Sequence, residues 1–175
     1  MMKKEEGPET FAALYKKLFP VLMKVAYHIT GDMDVSEELC QEAFLRYHKR
    51  LVPLEDADQV KYWLLRVVKN LCLNFVKRRG REKKAVERYA KNDKTVPLSG
   101  ETMVLKNEAF RQVRAALRAL APSLGTVLIL KEYAGLQYSE IGKILRISEG
   151  NVKVRVYRAR KELKELLDKE EPYVP

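Results

Sequence analysis

Apolar residues recur along this chain at the three-and-four spacing of a helix, and the coarse reading is helix throughout. Phe11, Leu14, Tyr15, Leu18, Leu22, Val25 and Ile29 line one side of a helical region from Thr10 to about Thr30. Pro20 must kink that region or start a new helix, and Gly31 ends it. Asp34 can cap a second helix, with Glu37 completing a capping box, and this helix runs to about Leu51. Pro53 marks a loop. The third helix spans roughly Ala57 to Arg79, with Val60, Trp63, Leu64, Val67, Leu71 and Phe75 as its expected core face.

Periodicity then weakens. Residues 81–102 read as a flexible linker, with nascent helix near Ala85 to Ala90 and a cluster of Pro97, Ser99 and Gly100. Helical spacing returns through Leu105, Phe110, Val113, Leu117 and Leu120, Pro122 breaks it, and a short helix follows over about Ser123 to Tyr133. The expected architecture is all-α. Two small helical domains, 1–80 and 103–175, are joined by the linker.

The last pair of helices has the sharpest pattern. Ile141, Ile144 and Leu145 give a short helix, Tyr138 to Leu145, one apolar face. Arg146-Ile147-Ser148 forms a turn. Ser148 is suited to cap the next helix, where Val152, Val156, Ala159, Leu163 and Leu166 form a continuous buried stripe. Lys153, Arg155, Tyr157, Arg158, Arg160 and Lys161 lie off that stripe. A helix with one apolar side and one cationic, aromatic side suits the DNA major groove, and the short-turn-long layout is that of a helix-turn-helix. The plainer alternative is a core helix with a solvated basic face. Arg146 sits where a positive φ would cost a non-glycine residue about 1 kcal/mol, and Gln137 is a weaker cap than Ser or Thr.

Charge sharpens the picture. The 175 residues carry 34 Lys plus Arg against 24 Asp plus Glu, a net charge of +10 that favours a polyanionic partner. The two signs are segregated. Asp32 to Asp58 holds eight acids and three bases, whereas Lys69 to Lys94 holds ten bases and three acids. An acidic helix face would repel phosphates, so a protein partner explains Glu37, Glu38, Gln41 and Glu42 better than DNA does. Cys40 and Cys72 read as reduced core thiols. No Ser/His/Asp set, phosphate-cradling glycine loop or metal-ligand spacing is present in the sequence, so neither an enzyme nor a cofactor or metal is expected. No signal peptide or membrane-spanning run is expected, which favours the cytoplasm.

Three segments in order, DVSEELCQEAFLRYHKRL (Asp34 to Leu51), YWLLRVVKNLCLNFVKRRGR (Tyr62 to Arg81) and GLQYSEIGKILRISEGNVKVRVYRARKEL from Gly135, resemble the bacterial sigma factors of the extracytoplasmic-function type, in the sigma-70 superfamily. The resemblance runs from about Phe11 to Leu167 and implies a factor that binds core RNA polymerase and directs it to promoters. It implies contacts to the polymerase from Glu38, Gln41 and Phe44. It implies capture of the single-stranded −10 element by Arg50, Leu54, Val67, Asn70 and Asn74, with Lys77, Arg78, Arg79 and Arg81 on phosphates. Duplex −35 DNA would meet Lys153, Val154, Tyr157 and Arg158, with Arg155 beside them. Val154 stands where the family often has a small polar residue, and it can touch a thymine methyl. An anti-sigma protein wedged between the two domains is also implied. The competing reading is a regulator that binds duplex DNA by its helix-turn-helix alone, as a two-fold dimer. An RNA-binding module would need the paired aromatics of a stacking sheet, which the chain lacks.

Overall fold

The computed structural model describes residues 10–51, 54, 56–90 and 108–170, and among these there are helices and no strands. In chain order they are α1 (Phe11–Thr30), α2 (Met33–His48), α3 (Ala57–Ala90), α4 (Glu108–Ala119), α5 (Pro122–Glu132), α6 (Tyr138–Leu145) and α7 (Glu149–Glu170). Helices α1, α2 and α3 pack as one bundle, and α4 to α7 as another. No described helix is long and apolar enough to cross a membrane. No group of His, Cys, Asp and Glu among the described residues could hold a metal ion.

Local chemistry sets both ends of α1: Gly31 is the expected stop, and Thr10, read from the sequence as the first residue of the helical region, is its N-cap. The Thr10 hydroxyl accepts from the Ala13 amide at 3.3 Å, and Gly31 closes the helix at φ 72°, a left-handed conformation glycine adopts without a Cβ penalty. The helix continues through Pro20. The start of α2 differs from expectation. Asp32, not Asp34, is the cap. It has extended backbone (φ −132°, ψ 123°) and accepts from the Val35 amide at 3.2 Å. A cap needs this non-helical backbone, and Asp34 already lies inside the first turn.

Helix α3 corrects two further expectations. It passes through Gly80 and continues to Ala90, beyond the expected end at Arg79, so the helix expected near Ala85 to Ala90 is continuous with it. One interior glycine costs only about 1 kcal/mol, and the residues after it (REKKAVERYA) are mostly strong helix formers. The rest of the expected linker, 91–102, lies outside the described residues, as does Leu105. The centre of the buried stripe is Val60, Leu64, Leu65, Val68 and Cys72, while Trp63, Val67, Leu71 and Phe75 sit on its flank, half-buried. Apolar residues make up more than half of the stretch from Ala57 to Val76, and its packing against both α1 and α2 selects the stripe between them. Cys40 and Cys72 are free and buried, and burial pushes each thiol up to about 12.

The two bundles meet along a polar seam. The Glu140 carboxylate on α6 accepts from Lys61 Nζ at 3.2 Å and from the Tyr62 hydroxyl at 3.1 Å, both on α3. The Arg66 guanidinium donates to the carbonyls of Lys143 (2.7 Å) and Ile144 (3.0 Å), the open C-terminal end of α6. Arg118 on α4 donates to the Thr30 carbonyl at 3.0 Å, and Arg114 donates to the Tyr27 hydroxyl. The His28 ring stacks on Tyr133 with centroids 3.4 Å apart. Burial, then Arg114, hold the His28 imidazole at about 4, so it is neutral at neutral pH. Gly31 serves this seam as well: a Cβ there would fall 1.0 Å from Arg118 Nη2. A cavity of about 370 Å³ remains between Ile29, Leu73, Val76, Leu117 and Ile129. Bonds of this kind each contribute about 1 kcal/mol net, less where solvent screens the charges. Beneath these bonds the buried apolar residues of the two bundles form one continuous cluster.

Candidate nucleic-acid interface

The helix-turn-helix is built locally. At the start of α6 the Gln137 amide donates to Glu140 Oε2 at 2.7 Å, so Glu140 compensates for the poor cap. Burial alone would raise the Glu140 carboxyl. The hydrogen bonds from the Gln137 amide, Lys61 and Tyr62 outweigh it and hold the group below the ordinary carboxylate value. At the other end Arg146 adopts φ 58°, the strained left-handed residue of the turn. Ile147 N then bonds back to the Gly142 carbonyl at 3.1 Å. Gly142 is required there, because a Cβ would meet the Ile147 carbonyl oxygen at 2.8 Å. The Ser148 hydroxyl caps α7, accepting from the Asn151 amide at 3.2 Å.

Helix α7 buries Val152, Val156 and Ala159 and turns Lys153, Val154, Tyr157 and Arg158 outward along one face. Tyr157 is 70% exposed and Val154 48%, high values for aromatic or apolar groups. Lys153 pairs with Glu149 one turn back at 2.8 Å, which raises its pKa. Arg155 is half-buried and off this face. Arg160 is tied to Glu132 of α5 at 2.7 Å, which suits packing along the helix better than reading a base. If Arg158 reads a base edge bidentately, Arg158→Ala is expected to cost about 1–3 kcal/mol of discrimination at one base position. Binding measured across a set of single-base duplex variants checks this. A uniform loss over all variants would reassign Arg158 to the phosphate backbone.

Helix α3 carries a second surface. Trp63, Val67, Asn70 and Asn74 follow one another at helical spacing along one side, with both amides exposed. The Arg50 guanidinium lies over the Trp63 ring, 5.2 Å from its centroid, which brings the end of α2 against this side. Leu54 is half-buried against the core, while Val52, Pro53 and Glu55 of the same loop lie outside the described residues. Lys77, Arg78 and Arg79 extend the surface as exposed cations, with Arg78 over the Phe75 ring at 5.9 Å and 3.7 Å from Glu82. Flat rings, amides without charge and a following row of cations are the groups that bind unpaired bases and their backbone.

The third surface is acidic. Glu37, Glu38 and Gln41 are exposed on α2, with the Gln41 amide donating to Glu37 at 3.1 Å. Phe44 is not on it. At 2% exposure it packs against Tyr15, centroids 4.7 Å apart, and supports α2 from beneath. Leu45 lies on the outer face, 52% exposed, one turn beyond Gln41. Helical spacing alone did not single it out, since only the packing of α2 shows which leucine is left outside.

The family model Sigma-70 region 2 matches residues 14–82, and Sigma-70, region 4 matches residues 110–163. The ECF RNA polymerase sigma factor EcfG of Rhodopseudomonas palustris is 32% identical over 149 residues, covering 85% of this chain and 80% of its own. The ECF RNA polymerase sigma factor SigE of Mycolicibacterium smegmatis is also 32% identical, covering 83% of this chain, and the chain spans 57% of that relative's length. Among solved structures, the sigma factor RpoE of Bartonella quintana, crystallised with the anti-sigma factor NepR, shares the fold. Its TM-score is 0.64 at 21% identity, over 92% of this chain and 98% of that one.

Proposed function

Because the chain belongs to the extracytoplasmic-function sigma factors of the sigma-70 superfamily, we propose that it binds core RNA polymerase in the cytoplasm and directs it to a specific set of promoters. What carries the reading is one combination: an acidic face that DNA would repel, in the same chain as two faces that suit DNA. The α2 face with Glu38, Gln41 and Leu45 is the candidate polymerase contact. The α3 face with Arg50, Trp63, Val67, Asn70 and Asn74 is the candidate reader of the unpaired −10 strand, and Lys77, Arg78 and Arg79 neutralise its phosphates. The outer face of α7 is the candidate −35 reader. Opening the duplex would draw on the capture of unpaired bases, and no catalytic group of the chain is needed for it. Control by an anti-sigma protein is part of the proposal, supported by the structural relative that was crystallised with one.

Run-off transcription with purified core polymerase on genomic fragments tests the reading. Discrete transcripts that require the chain, with little specific duplex binding by the chain alone, are the expected result. Tight specific binding by the free chain as a dimer on two-fold sites, with no transcript, would replace it with the regulator reading.

A further inference from the structure

The cavity between the two bundles is apolar inside and cationic at its mouth. Ile29 of α1, Leu73 and Val76 of α3, Leu117 of α4 and Ile129 of α5 line it, so four helices contribute walls. Ile29, Leu117 and Ile129 are buried. Val76, Arg79 and Lys83 on α3 and Arg118 on α4 are exposed, which places the opening between these two helices. Its volume of about 370 Å³ lies at the small end of the range for pockets that hold organic ligands, and such pockets occur between packed helices.

The charge at the opening is one-sided. Among the described residues that line the cavity, Arg79, Lys83 and Arg118 are cations and none is acidic. Arg118 gives the Thr30 carbonyl one N–H at 3.0 Å, out of the five that a guanidinium carries. Burial and the neighbouring Arg114 lower the Arg118 pKa, and Arg79 adds to this, with Tyr27 and Asp32 pulling the other way. Cations gathered on one rim without a carboxylate among them favour a bound anion. A guanidinium also matches two oxygens of a carboxylate or phosphate at once. The apolar walls below bond water poorly and suit a hydrocarbon body.

We propose that the cavity is a binding site for a small amphipathic organic anion. Arg118 and Lys83 hold its carboxylate or phosphate head at the rim, and Ile29, Leu117 and Ile129 take its short hydrocarbon body. This site goes beyond polymerase and promoter binding and depends on neither. Its walls come from both bundles, so the ligand binds them only when they are packed together and stabilises that packing by mass action.

Titration calorimetry on the full chain tests this with octanoate, kept below the concentration at which it forms micelles. Octanol, octylammonium and inorganic phosphate are the comparisons. Octanoate is expected to bind saturably at a single site, at least about tenfold more tightly than octanol, because charge-assisted hydrogen bonds to its head add to the same burial. Octylammonium and phosphate are each expected to bind at least about tenfold more weakly than octanoate, since each lacks one half of the recognition. The methyl resonances of Ile29 and Ile129 are expected to shift on binding, and Tm to rise with octanoate concentration. Octyl phosphate in place of octanoate identifies the preferred head. The double substitution Lys83→Gln, Arg118→Gln is expected to remove the preference for octanoate over octanol while octanol still binds, which shows that the cavity stands. Should octanol binding be lost as well, Lys83→Gln alone, at an exposed position, is expected to narrow the preference at least about threefold.

No saturable binding of octanoate would overturn the proposal. Octanol binding as tightly as octanoate would reduce the cavity to a plain apolar crevice, and phosphate binding as tightly would reduce the rim to a bare anion site; either result overturns it too. So would an unaltered preference in the substituted chains, or methyl shifts confined to other parts of the molecule.

Discussion

The double substitution Glu38→Lys, Gln41→Ala is expected to weaken association with core RNA polymerase by about thirtyfold or more, while leaving helix content and DNA contacts intact. Both side chains are exposed on α2 and neither supports the fold. Reversing the charge at one position and deleting the amide at the next turn changes the centre of the proposed contact. Losses of 2 kcal/mol or more are typical where central interface residues are removed, and that corresponds to about thirtyfold in affinity. A quantitative pull-down with purified core, beside circular dichroism of the free chain, gives both numbers. Leu45→Ser should weaken core binding in the same direction, since an exposed leucine amid acids and an amide suits a protein surface and nothing on DNA. Phe44→Ala serves as the contrast. Its ring is enclosed by Phe11, Tyr15 and Phe19, so it should cost about 3–5 kcal/mol of stability and reduce binding only by unfolding the bundle. Unaltered affinity of the double substitution for core would remove α2 as the polymerase contact.

Replacing Asn70 and Asn74 together by alanine is expected to abolish most open-complex formation on duplex promoters, by about fivefold or more if the amides supply even one base-edge pairing of about 1–3 kcal/mol. The amides carry no charge, so the salt dependence of promoter binding should stay the same. A promoter with a pre-melted −10 bubble separates two causes. If the amides only assist melting, the bubble restores activity. If they read a captured base, the defect persists on the bubble and changes with the −10 sequence, and this is the expected result. Wild-type activity of the double substitution on duplex promoters would make both amides ordinary surface residues. The structure supports the reading role in one respect that spacing alone does not provide. Arg50, from the end of α2, stacks on Trp63 and fixes the rim of the same side of α3.

Much of this molecule is written in local sequence. The bounds of α6, the left-handed Arg146, the Ser148 cap and the first part of the α7 stripe (Val152, Val156 and Ala159, with Leu163 and Leu166 only half-buried) follow from periodicity and cap chemistry within a dozen residues, and the structure has each of them. The same holds for the Gly31 stop of α1. The segregation of acids onto α2 and bases onto α3 is likewise plain in the sequence, since a charge keeps its sign wherever the helix turns.

Other features were decided only by tertiary packing. Helix α3 is apolar over too much of its circumference for periodicity to choose between the Val60–Leu64–Val68 stripe and the Trp63–Val67 one. Contact with α1 and α2 makes the choice, and in doing so leaves the second stripe half-exposed as a surface. Asp32 outranks Asp34 as a cap because the chain leaves the left-handed Gly31 in extended form, a matter of backbone direction and not of residue type. Phe44 and Leu45 are adjacent and both apolar, and only the docking of α2 sends one inward and the other to solvent. The seam is the furthest from sequence. Arg66 finds its partners 77 and 78 residues away, and those partners are backbone carbonyls, which every residue possesses. An acceptor that carries no side-chain signature cannot be read from a sequence, and it becomes specific only when folding brings the open end of α6 against one arginine.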